Sequence, residues 1–143
     1  MNNQMELTFL SAAENEAFAR MVISAFLVKN NPTMSMVSEV RTAVSEAVTN
    51  AVVHAYPYEE GKIVLRATID EKNMLTIDVE DFGCGITDVR QAMQPFFTTQ
   101  PEKERTGIGF ALMQSFMDGV KVYSSPGSGT TVRMIKMLGD ANE

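Results

Sequence analysis

The sequence predicts an α+β protein, a two-layer α/β sandwich with helices on one face of a mixed, mostly antiparallel sheet. Three observations lead there. Short runs of alternating apolar residues stand at the start, middle and end of the chain, with longer helical-period runs between them. Two of the alternating runs follow one another across the turn Asp70–Asn73, so they form adjacent antiparallel strands. The resulting order, βααββ(α)αββ, is not the regular alternation that builds a doubly wound parallel sheet. With 143 residues and no repeat or linker-like stretch, the chain reads as one domain, residues 1–143.

Each element has its own signal. "MELTFL" turns Met5, Leu7 and Phe9 to one side, as a short strand does. From Ala13 to about Lys29 apolar residues recur at helical spacing, with Phe18, Met21, Val22, Ala25 and Phe26 as the stripe. "KNNPT" breaks that pattern. Thr33 or Ser35 then caps a second helix reaching to about Ala55, where Pro57 ends it. Its stripe is Val40, Val44, Ala47 and Ala51. "GKIVLRATID" and "NMLTIDVEDF" are the central strands. Residues 85–106 are irregular apart from a short helix near Asp88 to Met93, and a segment of that length suggests a lid. A helix from Gly107, "GIGFALMQSFM", precedes two final strands, "GVKVYS" and "TTVRMIKML", around the turn "SPGSG".

Composition narrows the function. The net charge of −6 disfavours a nucleic-acid binder that works by neutralising phosphates. A single cysteine, Cys84, excludes an internal disulfide and fits a reducing, cytoplasmic setting. The start, "MNNQMELTF", lacks the basic-then-apolar pattern of a signal segment, and no apolar run approaches a membrane span. The 11 methionines read as adaptable core filler.

Four short motifs carry chemistry. On the second helix Glu46 and Asn50 are four residues apart, hence neighbours, at the edge of the apolar stripe. A carboxylate and an amide oxygen so placed suit Mg²⁺, which takes oxygen ligands and keeps several waters. "DFGCGI" places Gly83 and Gly85 just after a strand, where they permit a sharp turn and close approach of a ligand. "RTGIGF" opens a helix, whose free N–H groups and dipole attract anions, with Arg105 adding a charge. "GSGTT" enters the last strand. The triplet Asp81-Phe82-Gly83 is not that of protein kinases, because the strand lysine and His-Arg-Asp loop that accompany it there are missing. Phe82 is expected to face the core.

Taken in order, these motifs resemble the GHKL ATPase superfamily, whose ATP-binding unit is the Bergerat fold. The resemblance runs from about Ser35 to Leu138. It implies that Asp81 reads the adenine amino group, Gly83 and Gly85 shape the pocket, and Asn50 binds Mg²⁺. It further implies that Gly107 and Gly109 line the phosphates and that Thr130 backs the adenine. Thr98, Thr99, Arg105, Thr106, Ile108 and Phe110 complete the expected ATP site. Glu46 matches the position of the general base, with Arg105 beside it as the second catalytic group.

Within the superfamily the chain lacks a helical phosphoacceptor domain. Its one histidine, His54, sits inside the ATP-binding helix as a structural or pocket-edge residue, and Val53 stands where many histidine kinases place a lysine. "SEAVTNAVVHAY", "DFGCGI", "QPFFTT" and "ERTGIGF" resemble the anti-sigma factor kinases of sporulating bacteria. That resemblance implies two partners, a sporulation sigma factor and a serine-phosphorylated anti-anti-sigma factor, and a homodimer, with no direct role for nucleic acid or membrane. Two alternatives stay open: an ATP-gated sigma-binding module without turnover, and the catalytic part of a split histidine kinase.

Overall fold

The computed structural model describes residues 3–57, 59–86, 93 and 109–139. Five strands form one sheet: β1 (Asn3–Leu10), β2 (Lys62–Ile69), β3 (Met74–Asp81), β4 (Gly119–Ser124) and β5 (Thr130–Met137). Their order in space is β1-β2-β3-β5-β4, and all four pairs are antiparallel. Three α-helices cover one face: α1 (Glu14–Leu27), α2 (Met34–Asn50) and α3 (Gly109–Phe116). The chain is therefore the two-layer α+β sandwich expected. Among the described residues no helix is long and apolar enough to cross a membrane.

Strand parity explains the layers. Along β3, Leu75, Ile77, Val79 and Asp81 point to the helices and the residues between them point away. The inner face packs on Ala43, Val44, Ala47 and Val48 of α2, all essentially without exposure. The outer face is polar, with Arg66 paired to Glu6 and Glu80 and Arg133 bidentate to Asp78. Such exposed pairs set solubility more than stability.

Thr33 caps α2 as expected, its hydroxyl accepting from the N–H of Met36 at 3.1 Å. The helical chain continues to Ala55, but residues Ala51–Ala55 widen into a π-turn. Two expectations need correction. In α1 the buried line is Ala19, Ile23 and Leu27, while Phe18 and Met21 stand 49% and 68% exposed. The small Ala19 lets α1 lie close on α2, which a stripe of Phe18 and Met21 would prevent. Phe82 is also outside the core, 49% exposed, with the Lys62 ammonium 4.6 Å from its ring centre. With Asp81 turned inward, parity sends Phe82 outward. The short helix expected near Asp88–Met93 and most of the expected lid lie outside the described residues; Met93 packs against the core.

Lys136 is the one charged side chain of β5 that points inward. Its ammonium donates to Glu39 of α2 at 2.8 Å and to the carbonyl of Phe116, the last residue of α3, at 2.6 Å. A cation at the C-terminus of a helix meets both its unpaired carbonyls and its negative dipole end.

Candidate active site

Glu46 and Asn50 sit half-buried at the edge of α2, as their four-residue spacing requires. The first residue of α3, Gly109, comes against both. A Cβ on Gly109 would lie 3.1 Å from Glu46 Oε2 and 3.4 Å from Asn50 Oδ1. A carboxylate, an amide oxygen and a helix N-terminus thus converge from two elements. The unpaired N–H groups of the first helical turn and the positive dipole end favour an anion there. Phe110, the next residue, is 9% exposed and belongs to the core.

The π-turn links α2 to the loop after β3. The carbonyl of Ala55 accepts from Cys84 N–H at 3.0 Å, and that of His54 accepts from the Cys84 thiol at 3.2 Å. Gly83 lies so close to the Ala55 carbonyl that any Cβ would overlap it. Gly85 has φ +77, a left-handed conformation that glycine adopts without strain. Both motif glycines are therefore required by the backbone path.

Tyr56, at the end of the π-turn, shapes the same loop. Its hydroxyl donates to the Lys62 carbonyl at 2.6 Å and accepts from Phe82 N–H at 2.7 Å. The ladder between β2 and β3 ends with Ile63 opposite Asp81, so Lys62 and Phe82 would be the next pair. The phenol stands between them instead, and the chain splays apart just past Asp81. Burial pushes the Tyr56 phenol above its usual pKa, partly offset by the bond from Phe82, with Asp81 adding to the rise.

Asp81 is 7% exposed. Its Oδ1 accepts from Gly83 N–H and from Thr130 N–H, both at 3.1 Å. Among the described residues no group donates to Oδ2. Burial pushes the carboxyl above its usual range; the two N–H bonds pull part of that back, and nearby Glu80 raises it further. Thr130, 8% exposed, is the register partner of Asp81 on one side and of Ser124 on the other. Two features thus meet at this end of the sheet: a buried acceptor and a hydroxyl pair.

Of the residues the sequence singles out, Glu46, Asn50 and Gly109 come together, and so do Asp81, Gly83 and Thr130. Gly85 lies in the same loop. Thr98, Thr99, Arg105, Thr106, Gly107 and Ile108 lie outside the described residues. Tyr56 and Ser124 are contributors that the sequence reading did not single out. The described residues contain no group of three His, Cys, Asp or Glu side chains able to hold a metal. One amide oxygen with a neighbouring carboxylate fits a hard cation that arrives with phosphate oxygens and waters as its other ligands.

The chain that carries this arrangement, a polar edge on α2 facing the N-terminus of α3 and a buried aspartate at the end of β3, has known relatives. Residues 9–136 match the family of histidine kinase-like ATPase domains, and the chain belongs to that family. Within it, the sequence is similar over nearly its whole length to proteins named anti-sigma F factor. That of Caldanaerobacter subterraneus subsp. tengcongensis is 54% identical over 138 residues, 96% of each chain. That of Bacillus subtilis is 45% identical over 139 residues, 96% of this chain and 94% of the relative. Among solved structures, the RsbU and RsbW domains of a Mycobacterium tuberculosis protein share the fold, with a TM-score of 0.69 at 18% identity, covering 95% of this chain and 32% of that one. A histidine kinase domain from Erythrobacter litoralis shares it with a TM-score of 0.56 at 23% identity, covering 86% of this chain and 60% of that one.

Proposed function

We propose that the protein is a cytoplasmic anti-sigma factor with serine kinase activity, acting as a homodimer. It binds and holds a sporulation sigma factor, and it uses Mg·ATP to phosphorylate a serine of an anti-anti-sigma factor, releasing that partner's grip. The observation that carries the kinase reading is the approach of Gly109 to Glu46 and Asn50, which sets a carboxylate beside an anion-attracting helix end. The sigma-binding reading is supported by the near full-length similarity to anti-sigma F factors.

In this reading Asp81 accepts from the adenine amino group, and Thr130, Gly83 and Gly85 frame the base. Asn50 would hold the metal, which would neutralise phosphate charge when bound. The N–H groups from Gly107 to Gly109, with Thr98, Thr99, Arg105 and Thr106, receive the phosphates, beside Ile108 and Phe110. Phosphoryl transfer demands position and charge compensation more than covalent chemistry. A serine hydroxyl is a weak nucleophile; Glu46 takes its proton as the serine oxygen bonds to the γ-phosphorus and the bond from that phosphorus to the β–γ bridging oxygen breaks, releasing ADP, an effect worth about 10²–10⁴-fold in rate.

The test is incubation with labelled ATP, Mg²⁺ and a candidate anti-anti-sigma protein. Acid-stable phosphoserine on that protein is expected. Glu46→Gln is expected to bind ATP normally and lose transfer by at least about 10²-fold. Acid-labile phosphohistidine, or sigma binding that needs ATP but transfers no phosphate, refutes the serine-kinase assignment.

A further inference from the structure

Three side chains stand in a row across the inner face at one end of the sheet: Asp81 on β3, Thr130 on β5 and Ser124 on β4. Register pairs Asp81 with Thr130 and Thr130 with Ser124. The hydrogens in this row follow from counting. A serine hydroxyl has one proton to give and two lone pairs. Ile86 N–H, 2.8 Å from Ser124 Oγ, only donates to it. The Gly129 carbonyl, at 3.0 Å, only accepts from it. For the third contact, to Thr130 Oγ1 at 2.7 Å, one assignment is left: Thr130 donates and Ser124 accepts. The Thr130 proton is thereby used inside the protein, and Oγ1 offers lone pairs alone to a ligand. Beside it, Asp81 Oδ1 is occupied by two backbone N–H groups, and Oδ2 is a second acceptor.

We infer that Ser124 is a specificity-determining positioning residue: by holding the Thr130 hydroxyl as an acceptor, it makes this end of the pocket select a base with an exocyclic amino group and reject one with a carbonyl. The inference rests on the proposed reading that a purine nucleotide binds at Asp81. An adenine amino group brings protons to both acceptors. A guanine carbonyl at the same edge sets lone pairs against lone pairs, and a polar mismatch of this kind discriminates strongly. Without the Ser124 hydroxyl, Thr130 is free to rotate and donate to such a carbonyl.

The experiment measures ATP and GTP dissociation constants by competition against a fluorescent nucleotide, with the melting temperature as a control. The wild type is compared with Ser124→Ala, Ser124→Thr and Asp81→Asn. Ser124→Ala is expected to lower the ATP-over-GTP preference about tenfold, mainly through tighter GTP binding. Ser124→Thr, which keeps a hydroxyl, is expected to retain the preference. Should Ser124→Ala fail to fold, Ser124→Cys, whose thiol accepts only weakly, reads the same ratio. A ratio within twofold of wild type, or ATP and GTP weakened by one common factor, overturns the inference and leaves the nucleotide reading standing. A wild-type protein that binds no ATP, or Asp81→Asn binding it unchanged, overturns the nucleotide reading and the inference together.

Discussion

Replacing Asp81 by asparagine changes one atom of the carboxylate and reverses what the pocket offers. The amide oxygen has to take over Oδ1, because the N–H groups of Gly83 and Thr130 both point at it from 3.1 Å. The amide nitrogen then occupies the position of Oδ2 and, on the proposed reading of the site, a donor faces the donor of the adenine amino group. The loss combines a hydrogen bond to a charged acceptor, about 1.5–3 kcal/mol, with an unpaired amide, about 1 kcal/mol. The sum, about 3 kcal/mol, corresponds to roughly 100-fold weaker ATP binding. Folding should respond differently. Burial raises the Asp81 pKa in the folded state above its unfolded value, so its ionisation costs stability at neutral pH. The contribution of Asp81 is most favourable below the unfolded pKa and is lost as pH rises through the folded one. Asp81→Asn should therefore melt no lower than wild type at pH 7 while its dissociation constant, measured by titration calorimetry, rises roughly 100-fold. An ATP affinity within threefold of wild type, or a loss of affinity that tracks a lowered melting temperature, refutes this reasoning.

Four further outcomes are expected. As pH falls toward the raised Asp81 pKa, the wild type should lose ATP affinity at a higher pH than an ordinary aspartate would dictate, and Asp81→Asn should lack that component; superimposable pH profiles contradict it. Lys136→Met removes the cation between Glu39 and the Phe116 carbonyl and should destabilise by about 2 kcal/mol in urea unfolding, since both partners lose a charge-assisted bond. Tyr56→Phe leaves Lys62 and Phe82 to close the ladder themselves, and the expected shift of the Asp81 loop should weaken ATP several-fold with the melting temperature lowered by a few degrees; unchanged affinity argues against a role in the site. Gly83→Ala forces a methyl into the Ala55 carbonyl and should abolish nucleotide binding or folding, whereas alanine at Gly127, which has open space around it but φ +79, should cost only the strain of a left-handed alanine, about 1–2 kcal/mol of stability, and bind nucleotide far better than Gly83→Ala.

What the sequence discloses here is what local periodicity controls. The α2 stripe, the Thr33 cap and the adjacency of Glu46 and Asn50 all follow from helical spacing, and each is found. Alternation along β3 also carries more than it first yields: an inward Asp81 already requires an outward Phe82. The α1 stripe was ambiguous because Phe18-Met21 and Ala19-Ile23-Leu27 both repeat at helical intervals. Only the close approach of α2 decides between them, and that is a tertiary fact. Tyr56 and Ser124 are illegible for another reason. Tyr56 reaches Lys62 and Phe82 only because the π-turn meets the open end of the β2–β3 ladder, and Ser124 reaches Ile86 only because the β4–β5 pair lies beside β3; no spacing along the chain encodes either meeting.

The two ends of α3 rest on the same neighbour. Gly109 touches Glu46 and Asn50 near the end of α2, and Phe116 is tied through Lys136 to Glu39 nearer its start. The helices consequently run antiparallel, like the rails of a vernier, and the buried lysine sets the zero of the scale. The distance from the α2 carboxylate to the N-terminus of α3 is thus calibrated from the other end of the helix pair, away from the candidate site. On the proposed kinase reading, selection on phosphotransfer geometry therefore bears on Lys136 and Glu39 as well, and a substitution there that spares the fold should still detune the alignment of carboxylate, amide and helix end.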